Sequence, residues 1–506
     1  MTNPQTCRGK RAAMTPLRSS SNRHRRVRLL LATLATLLLP GVVFSPIRSH
    51  AAAELSVDFS RPVGVVRALH GINKGPIAAG GLVDVTAAMR ALGVPCVRLH
   101  DCHWPNPDVV DVHAVFPNPA ADPEQAASYE FALTDEYVAA TRQTGAEIVY
   151  RLGESIEHTA TKRFAHPPSD PARWANVCLG IIRHYNEGWA GGFRHSIRYW
   201  EIWNEPENRP AMWSGSDEDY FALYRAAARA IKSQYPGLKV GGPAVGASGE
   251  FRAGQFQPTA FVTNFLALCR QEALPLDFFS WHCYTADTSE LVQRAAAIRR
   301  LLDTYGFTNT ASHLNEWNYL PGNTWAPIAR TSAPAARQAF YEQMAGARGA
   351  AFLSLALIEL QDAPVQSCNL FHGELGGFGL FNEHGVPQKN YHALHAFRGL
   401  LDAPRRVATQ GGTSGKLGLA AGLNAGASEA VILLSNFAAA ESEFQIAVTG
   451  LPWPGEIAAE IRVVDAGHDL KLMSSETLAG ATTAMSLRLE SPAVALIRLK
   501  PKAGAK

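Results

Sequence analysis

The sequence predicts an α/β chain: a (β/α)8 TIM barrel followed by a C-terminal antiparallel β-sandwich domain. Three observations lead there. Between about residues 67 and 400, short β-rich apolar runs alternate eight times with amphipathic stretches of helical period. After Leu401 the helical stretches stop, and apolar or alternating runs recur between Gly, Pro and Ser. No Gly-x-Gly-x-x-Gly turn follows the first run, which speaks against a doubly wound dinucleotide-binding sheet.

Residues 1–53 read as a secretory signal. Arg23, Arg25, Arg26 and Arg28 precede an apolar stretch from Leu29 to Phe44, and small residues follow at Ser49 and Ala51 to Ala53. The other reading is a membrane anchor, but Pro40 and Gly41 interrupt the run, which falls short of the ~20 apolar residues that a spanning helix needs. The mature chain is therefore expected to be exported, secreted or periplasmic, and free of the membrane. Residues 54–66, with "ELSVDF", are expected to add a strand to the sandwich.

The barrel is placed at 67–400. Its eight predicted strands are Ala68–Asn73, Pro95–His100, Glu147–Arg151, Ser196–Trp203, Lys239–Gly242, Phe278–Tyr284, Ser312–Glu316 and Phe352–Glu359. Stretches such as "LVDVTAAMRALG" and "DEDYFALYRAAARAIKSQYPG" lie between them and end in Gly or Pro, as helix stops do. In residues 401–506, runs such as "EAVILLSNF", "AEIRVVD" and "VALIRLK" supply the sandwich. Trp453 is expected at its interface with the barrel.

Composition excludes several classes. The chain has 506 residues, 47% hydrophobic and 18% charged, as an ordinary globular protein does. Loss of residues 1–51 would remove nine of the 47 Lys and Arg and none of the 44 Asp and Glu, turning the formal charge from +3 to −6. No basic stripe of the kind that binds nucleic acid is left. Seven cysteines, Cys7 among them, show no CxxC or Cys/His spacing, so no zinc site is expected. Disulfide pairing and oligomeric state are not legible.

In a barrel of this kind the chemistry sits at the C-terminal ends of the strands. Glu205, in "EIWNEPEN", follows the fourth predicted strand, and Glu316, in "HLNEWN", closes the seventh. Glu205 alone reads equally as part of a helix N-terminus, where acids and proline are common. Paired across the mouth, two carboxyl groups are what glycosidic cleavage needs, one protonated to release the leaving oxygen and one ionised to attack or to activate water. Asn204 would set an amide beside the acid, and Pro206 would fix the backbone after it.

"WNEP" followed by "NEWN" resembles retaining glycosidases with (β/α)8 barrels. "LKVGGPA", "LDFFSWHCYT" and "GGFGLFNEHGVPQKNYHAL" narrow the likeness to glycoside hydrolase family 39, the family of β-xylosidases and α-L-iduronidases. The resemblance implies Glu205 as general acid/base, Glu316 as nucleophile, and retention. It sets Asn204 against the 2-hydroxyl of the sugar, Arg98 against the nucleophile, His100 and His282 on sugar hydroxyls, and Tyr284 beside Glu316. Trp281 is read as core.

Substrate choice follows from departures. Tyr284 stands where α-L-iduronidases carry a uronate-binding lysine, which favours a neutral pentose. The eighth predicted strand has no tryptophan where xylosidases usually present a sugar platform. Lys74 is expected to be solvated, as are Glu154, Glu359 and Asp362 on their loops. Hydrolysis by two carboxylates needs neither metal nor cofactor, and none is expected, Asp101 and His103 beside His100 included. The leading expectation is a retaining β-xylosidase acting on plant-type oligosaccharides. The alternatives are an α-L-arabinosidase, an α-L-iduronidase, an endo-glycanase or a non-catalytic carbohydrate-binding protein.

Overall fold

The computed structural model describes residues 53–103 and 109–502; the expected signal segment lies outside them, apart from Ala53. Eight parallel strands close into a barrel: Gly71–Asn73, Cys96–Leu99, Glu147–Leu152, Tyr199–Ile202, Lys239–Val245, Phe278–Thr285, Ala311–Tyr319 and Ser367–Leu370, called here barrel strands one to eight. Strand eight pairs with strand one through Asn369–Gly71 and Leu370–Ile72, which completes the ring. Helices follow each strand, and several carry the start signals of their sequence. Asp170 caps Pro171–Glu187 by accepting from the Ala172 and Arg173 amides. Ser216 and Asp219 form a reciprocal capping box at the head of Asp217–Gln234.

One predicted strand is a helix. Residues 352–359, read as strand eight, lie in the helix Ala347–Glu359, and the true eighth strand comes later, at Ser367–Leu370. Ten of that helix's residues are buried, because it runs between the barrel and the β-domain and meets apolar surface on both sides. Such a helix has no polar face, so its sequence shows neither period and cannot be told from a buried strand.

The β-domain is one nine-stranded, mostly antiparallel series that curls on itself around its own core. Its order is Asp469–Ala479, Glu456–Val464, Ala493–Pro501, Ala430–Asn436, Leu417–Leu423, Arg405–Gln410, Ala53–Val65, Glu443–Thr449 and Thr483–Arg488. Strand Ala53–Val65 pairs antiparallel with Arg405–Gln410 and parallel with Glu443–Thr449, the one parallel pair in the series. Ile432, Ile446, Ile457 and Leu487, drawn from both ends of the order, belong to one cluster. Trp453 belongs to that cluster and donates to the Ala427 carbonyl, so it is not at the barrel interface as expected; its indole had an acceptor within its own domain. The opposite face packs on the helix Ala347–Glu359, so closely that a Cβ on Gly418 would fall 2.5 Å from Leu355 Cδ1.

Candidate active site

Each candidate side chain sits at the C-terminal end of a barrel strand. After strand four the backbone turns sharply: Trp203 and Glu205 both take left-handed conformations, with φ of 67° and 45°. Each costs roughly 1–2 kcal/mol for an L-residue. Trp203 N bonds the Leu152 carbonyl at 2.7 Å, and Glu205 N bonds that of Ala244 at 3.0 Å, which ties the turn to strands three and five. The Glu205 carboxyl lies against Gly246, where a Cβ would stand 2.5 Å from Oε1; only glycine leaves that space.

Strand seven solves a different problem. Its register against strand six jumps from Trp281–Leu314 to His282–Glu316, so Asn315 is an extra residue. In a regular strand neighbours face opposite ways, and a bulge breaks that alternation. Here both Asn315 and Glu316 reach the interior. Asn315 Nδ2 donates to Glu201 Oε1 at 2.6 Å, and Glu316 Oε1 accepts from Arg98 Nη1 at 2.7 Å.

Arg98, fully buried, organises the floor. Its Nε donates to Glu201 Oε2 at 2.6 Å, its Nη1 to Glu316 and to Asn73 Oδ1 at 3.1 Å, and its Nη2 to Asn204 Oδ1 at 2.6 Å. Asn204 thus spends its oxygen on Arg98 and keeps its NH2 for a ligand. Tyr284 donates its hydroxyl to Glu316 Oε2 at 2.8 Å. Burial, and then the Glu316 charge, push the Tyr284 phenol well up, so it stays a donor.

His282 stands between the two acids, its Nδ1 2.8 Å from Glu205 Oε1 and 3.6 Å from Glu316 Oε2. One ligand-type atom of each of these three residues lies within 4.8 Å of the others. Burial would raise Glu205, but the hydrogen bond and charge of His282 outweigh it and hold the carboxyl below its usual value. Burial raises Glu316 against the pull of His282 and Arg98. Burial opposes a charge on His282, yet the two carboxylates overcome it and its pKa goes up. His100 behaves in the opposite way, since burial and the neighbouring arginines drive it well below the ordinary value. Its Nδ1 accepts from Arg151 Nε at 3.2 Å, so the hydrogen of the neutral ring is on Nε2, 3.6 Å from Glu316 Oε1.

All seven residues expected at the site, Glu205, Glu316, Asn204, Arg98, His100, His282 and Tyr284, meet around one floor. Above it lies a cleft of about 830 Å³ whose walls include Asp101, Glu207, Tyr341, Phe371 and Phe378. Trp325, on the loop after strand seven, is 42% exposed, edge-on to Tyr284 and stacked near Phe378. On the same loop Arg330 Nη2 donates to the His158 carbonyl at 2.7 Å. That bond joins loops from strands three and seven, on opposite sides of the barrel, across its mouth.

Sequence reading missed Glu201, Asn73, Asn315, Glu207, Trp325 and Phe371. Glu201 carried a signal, as a charge inside an apolar strand, and so did Asn315 in "HLNEWN". Several expectations are corrected. Lys74 is buried rather than solvated, 3.5 Å from Glu374 Oε2 and over the Phe371 ring, because Glu374 and the ring replace its water. Glu154 is also buried, its Oε1 accepting from the His113 amide at 3.2 Å. Glu359 is half-buried and accepts from the Gly415 amide, whereas Asp362 is exposed as expected and pairs with Arg406; both lie beside the β-domain and away from the mouth, since they follow a helix and not strand eight. What closes strand eight is Phe371, a cleft-lining aromatic in place of the missing tryptophan. His103 turns to Lys74 and Glu374, not to His100. Asp111, His113 and Glu154 form a second close triplet, but Asp111 gives its oxygens to Arg151 and Ser155, which makes it an ion-pair network and not a cation cage.

Residues 85–431 match the family model described as glycosyl hydrolases family 39. The chain belongs to that family. A β-xylosidase of Geobacillus stearothermophilus is 28% identical over 264 residues, 47% of this chain and 48% of that protein, so the chain spans about half the length of this relative. A crystal structure of a glucosidase from Croceicoccus marinus is similar with a TM-score of 0.76 and 27% identity, over 90% of this chain and 100% of the other. A monomeric β-xylosidase from Caulobacter crescentus shares the fold, with a TM-score of 0.67 at 17% identity over 89% of this chain and 100% of that one. For a family 39 member, the closed barrel and the strand-end carboxylates are thus accounted for together.

Proposed function

We propose that this family 39 chain is a retaining glycosidase that removes a neutral sugar, β-linked xylose before others, from the ends of short oligosaccharides. The observation that carries the reading is the closeness of the two acids. Oxygens of Glu205 and Glu316 lie within 4.8 Å, near the about 5–5.5 Å of retaining sites and short of the about 6.5–9.5 Å that leaves room for an inverting water. Glu316, aimed by Arg98 and Tyr284, attacks the anomeric carbon while Glu205 gives its proton to the leaving oxygen. The covalent glycosyl-enzyme is then opened by a water whose proton returns to Glu205. Asn204 Nδ2 and the His100 Nε2–H supply donors to the sugar hydroxyls.

Charge supports a neutral sugar. The floor and walls hold Asp101, Glu205, Glu207 and Glu316, while the nearby cation Lys74 is matched by Glu374. A uronate would meet this acid surplus without a free partner. The Arg330 to His158 bond across the mouth supports end-on rather than mid-chain attack. A β-glucoside is the second reading, favoured by the likeness to the Croceicoccus marinus glucosidase over 90% of the chain. Nitrophenyl β-xyloside, β-glucoside, α-L-arabinosides and an α-L-iduronide, with the first-formed anomer followed by NMR, test sugar and stereochemistry together. A first product of inverted configuration, or no turnover of any of them, overturns the proposal. We also propose export directed by the basic, apolar, small-residue order of residues 23–53; N-terminal sequencing of the protein from the producing cell should find a start near Ala51 or Ala53.

A further inference from the structure

A third carboxyl stands beside the acid/base. Glu207 lies two residues past Glu205 on the same turn and lines the same cleft. Its Oε1 is pinned by the Ala247 amide at 2.8 Å, in the segment after strand five that also carries Gly246 against Glu205. Its Oε2 is buried and has no hydrogen-bond partner among the described residues. Among the described residues no lysine or arginine is bonded to it. An acid placed this way gains nothing for the fold: its charge is desolvated, unpaired and set next to another acid.

We propose that Glu207 is a positioning residue for the general acid, a second carboxyl that shares one proton with Glu205 and so keeps that proton at the site to higher pH than Glu205 would alone. The inference rests on Glu205 being the acid/base. Like charges a few ångströms apart cannot both ionise freely, so the last proton of the pair is held more tightly than either group would hold it singly. Three titratable groups face Glu207: Glu205 on its own turn, His282 on strand six and Tyr220 on the helix after strand four. Burial and then the Glu205 charge push Glu207 up to about 7, against the pull of the Ala247 amide and of His282. His282, with Asn208 and Arg98, holds Glu205 low, so Glu205 ionises first and the last proton of the pair rests on Glu207 beside it.

The test is the pH dependence of kcat/KM for wild type and Glu207→Gln on two aryl glycosides of the preferred sugar. Phenyl glycoside needs the acid, whereas 2,4-dinitrophenyl glycoside needs little protonation. Glutamine keeps the acceptor for Ala247 and removes only the charge. With phenyl glycoside the basic limb of the variant should move down by about one pH unit, the effect of losing one close like charge, while the limb for 2,4-dinitrophenyl glycoside stays in place. Coincident basic limbs for wild type and variant on phenyl glycoside overturn the proposal, as does a uniform loss of rate at every pH with both substrates, which is what a purely structural residue would give. A carbon-13 titration of the glutamate side chains supplies a readout independent of turnover: the Glu205 carboxyl signal should titrate at lower pH in Glu207→Gln, and an unmoved Glu205 titration again overturns it. A wild-type enzyme inactive on both glycosides is a failure of the glycosidase reading and not of the coupling, which the carbon-13 titration still tests.

Discussion

The two acids of the floor are held in different ways. Glu316 stands within a strand, on a bulge, and its hydrogen-bond partners keep their protons throughout the neutral range: the Arg98 guanidinium and the Tyr284 hydroxyl. Glu205 stands after a strand, on left-handed backbone, bonded to Asn208 and His282 with Glu207 alongside, so that two of its three neighbours can gain or lose a proton themselves. A nucleophile has one protonation state to keep, and the groups hydrogen-bonded to it are fixed. A general acid/base has two to visit, and its surroundings titrate with it.

The largest predicted effect separates the two by leaving group. Glu316→Ala should lose turnover on the order of 10⁴-fold or more with every substrate, because no leaving group replaces the missing nucleophile. Glu205→Ala should lose about 10²–10⁴-fold with phenyl glycoside and far less in kcat/KM with 2,4-dinitrophenyl glycoside. Initial rates on the two substrates check both. Near wild-type rates in Glu316→Ala, or equal losses on both substrates in Glu205→Ala, break the comparison.

The next effect is on stability. Arg98 and Glu201 are both fully buried, and removing one partner of such a pair leaves the other charge uncompensated, at about 3–5 kcal/mol. Glu201→Ala should therefore lower the urea midpoint sharply. Glu205→Gln should lower it much less, by the loss of a charge that His282 and Asn208 favour at the edge of the floor. Equal midpoints for the two variants would mean that the strand side is no more rigidly specified than the loop side.

That division also explains what the sequence disclosed. The strand-end acids were legible because they break apolar runs at positions where a barrel opens, and family motifs surround them. Glu201 and Asn315 also broke apolar runs or stood in a motif, but a buried positioning residue takes meaning only once its partners are seen, here with Glu201 between Arg98 and Asn315. The eighth strand was misplaced for a related reason. Residues 352–359 are apolar on every side because two layers cover them, and the short Ser367–Leu370 that closes the ring carries too few residues to show any period. Trp325 and Phe371 sit on loops whose path the sequence does not fix, so the aromatic wall was invisible while its missing tryptophan was conspicuous.

A smaller effect probes the wall itself. Trp325 is the exposed aromatic of the cleft, and its loop carries the Arg330 bond across the mouth. Trp325→Ala should lower kcat/KM on oligosaccharides by roughly 2–10-fold, the loss of one stacking contact, with little change on small alkyl glycosides. Arg330→Ala should admit longer chains, read as an increased rate on long relative to short xylo-oligosaccharides. Unchanged chain-length preference in both would remove the loop from specificity.

The smallest effect comes from a buried acid outside the cleft. Glu154, at the end of strand three, opens to a separate cavity lined by Phe164, Trp174 and Trp203, and burial pushes it up to about 7 despite the His113 hydrogen bond. An unfolded glutamate titrates near ~4.3, so between that pH and about 7 the folded state binds the extra proton. Stability must then fall as pH rises through this window and level off above it, which is the reverse of a salt-bridged acid. Glu154→Gln removes the term, so its urea midpoint relative to wild type should rise between pH 5 and 8, by an amount on the order of 1–3 kcal/mol. Its kcat/KM profile should keep the wild-type limbs, because Glu154 lines the separate cavity and not the cleft. Parallel midpoint curves would show that His113 already holds the carboxylate charged. A displaced activity limb would mean instead that a raised acid outside the floor reaches the reacting atoms, and the contrast between Glu205 and Glu316 would then have to include a third carboxyl on strand three.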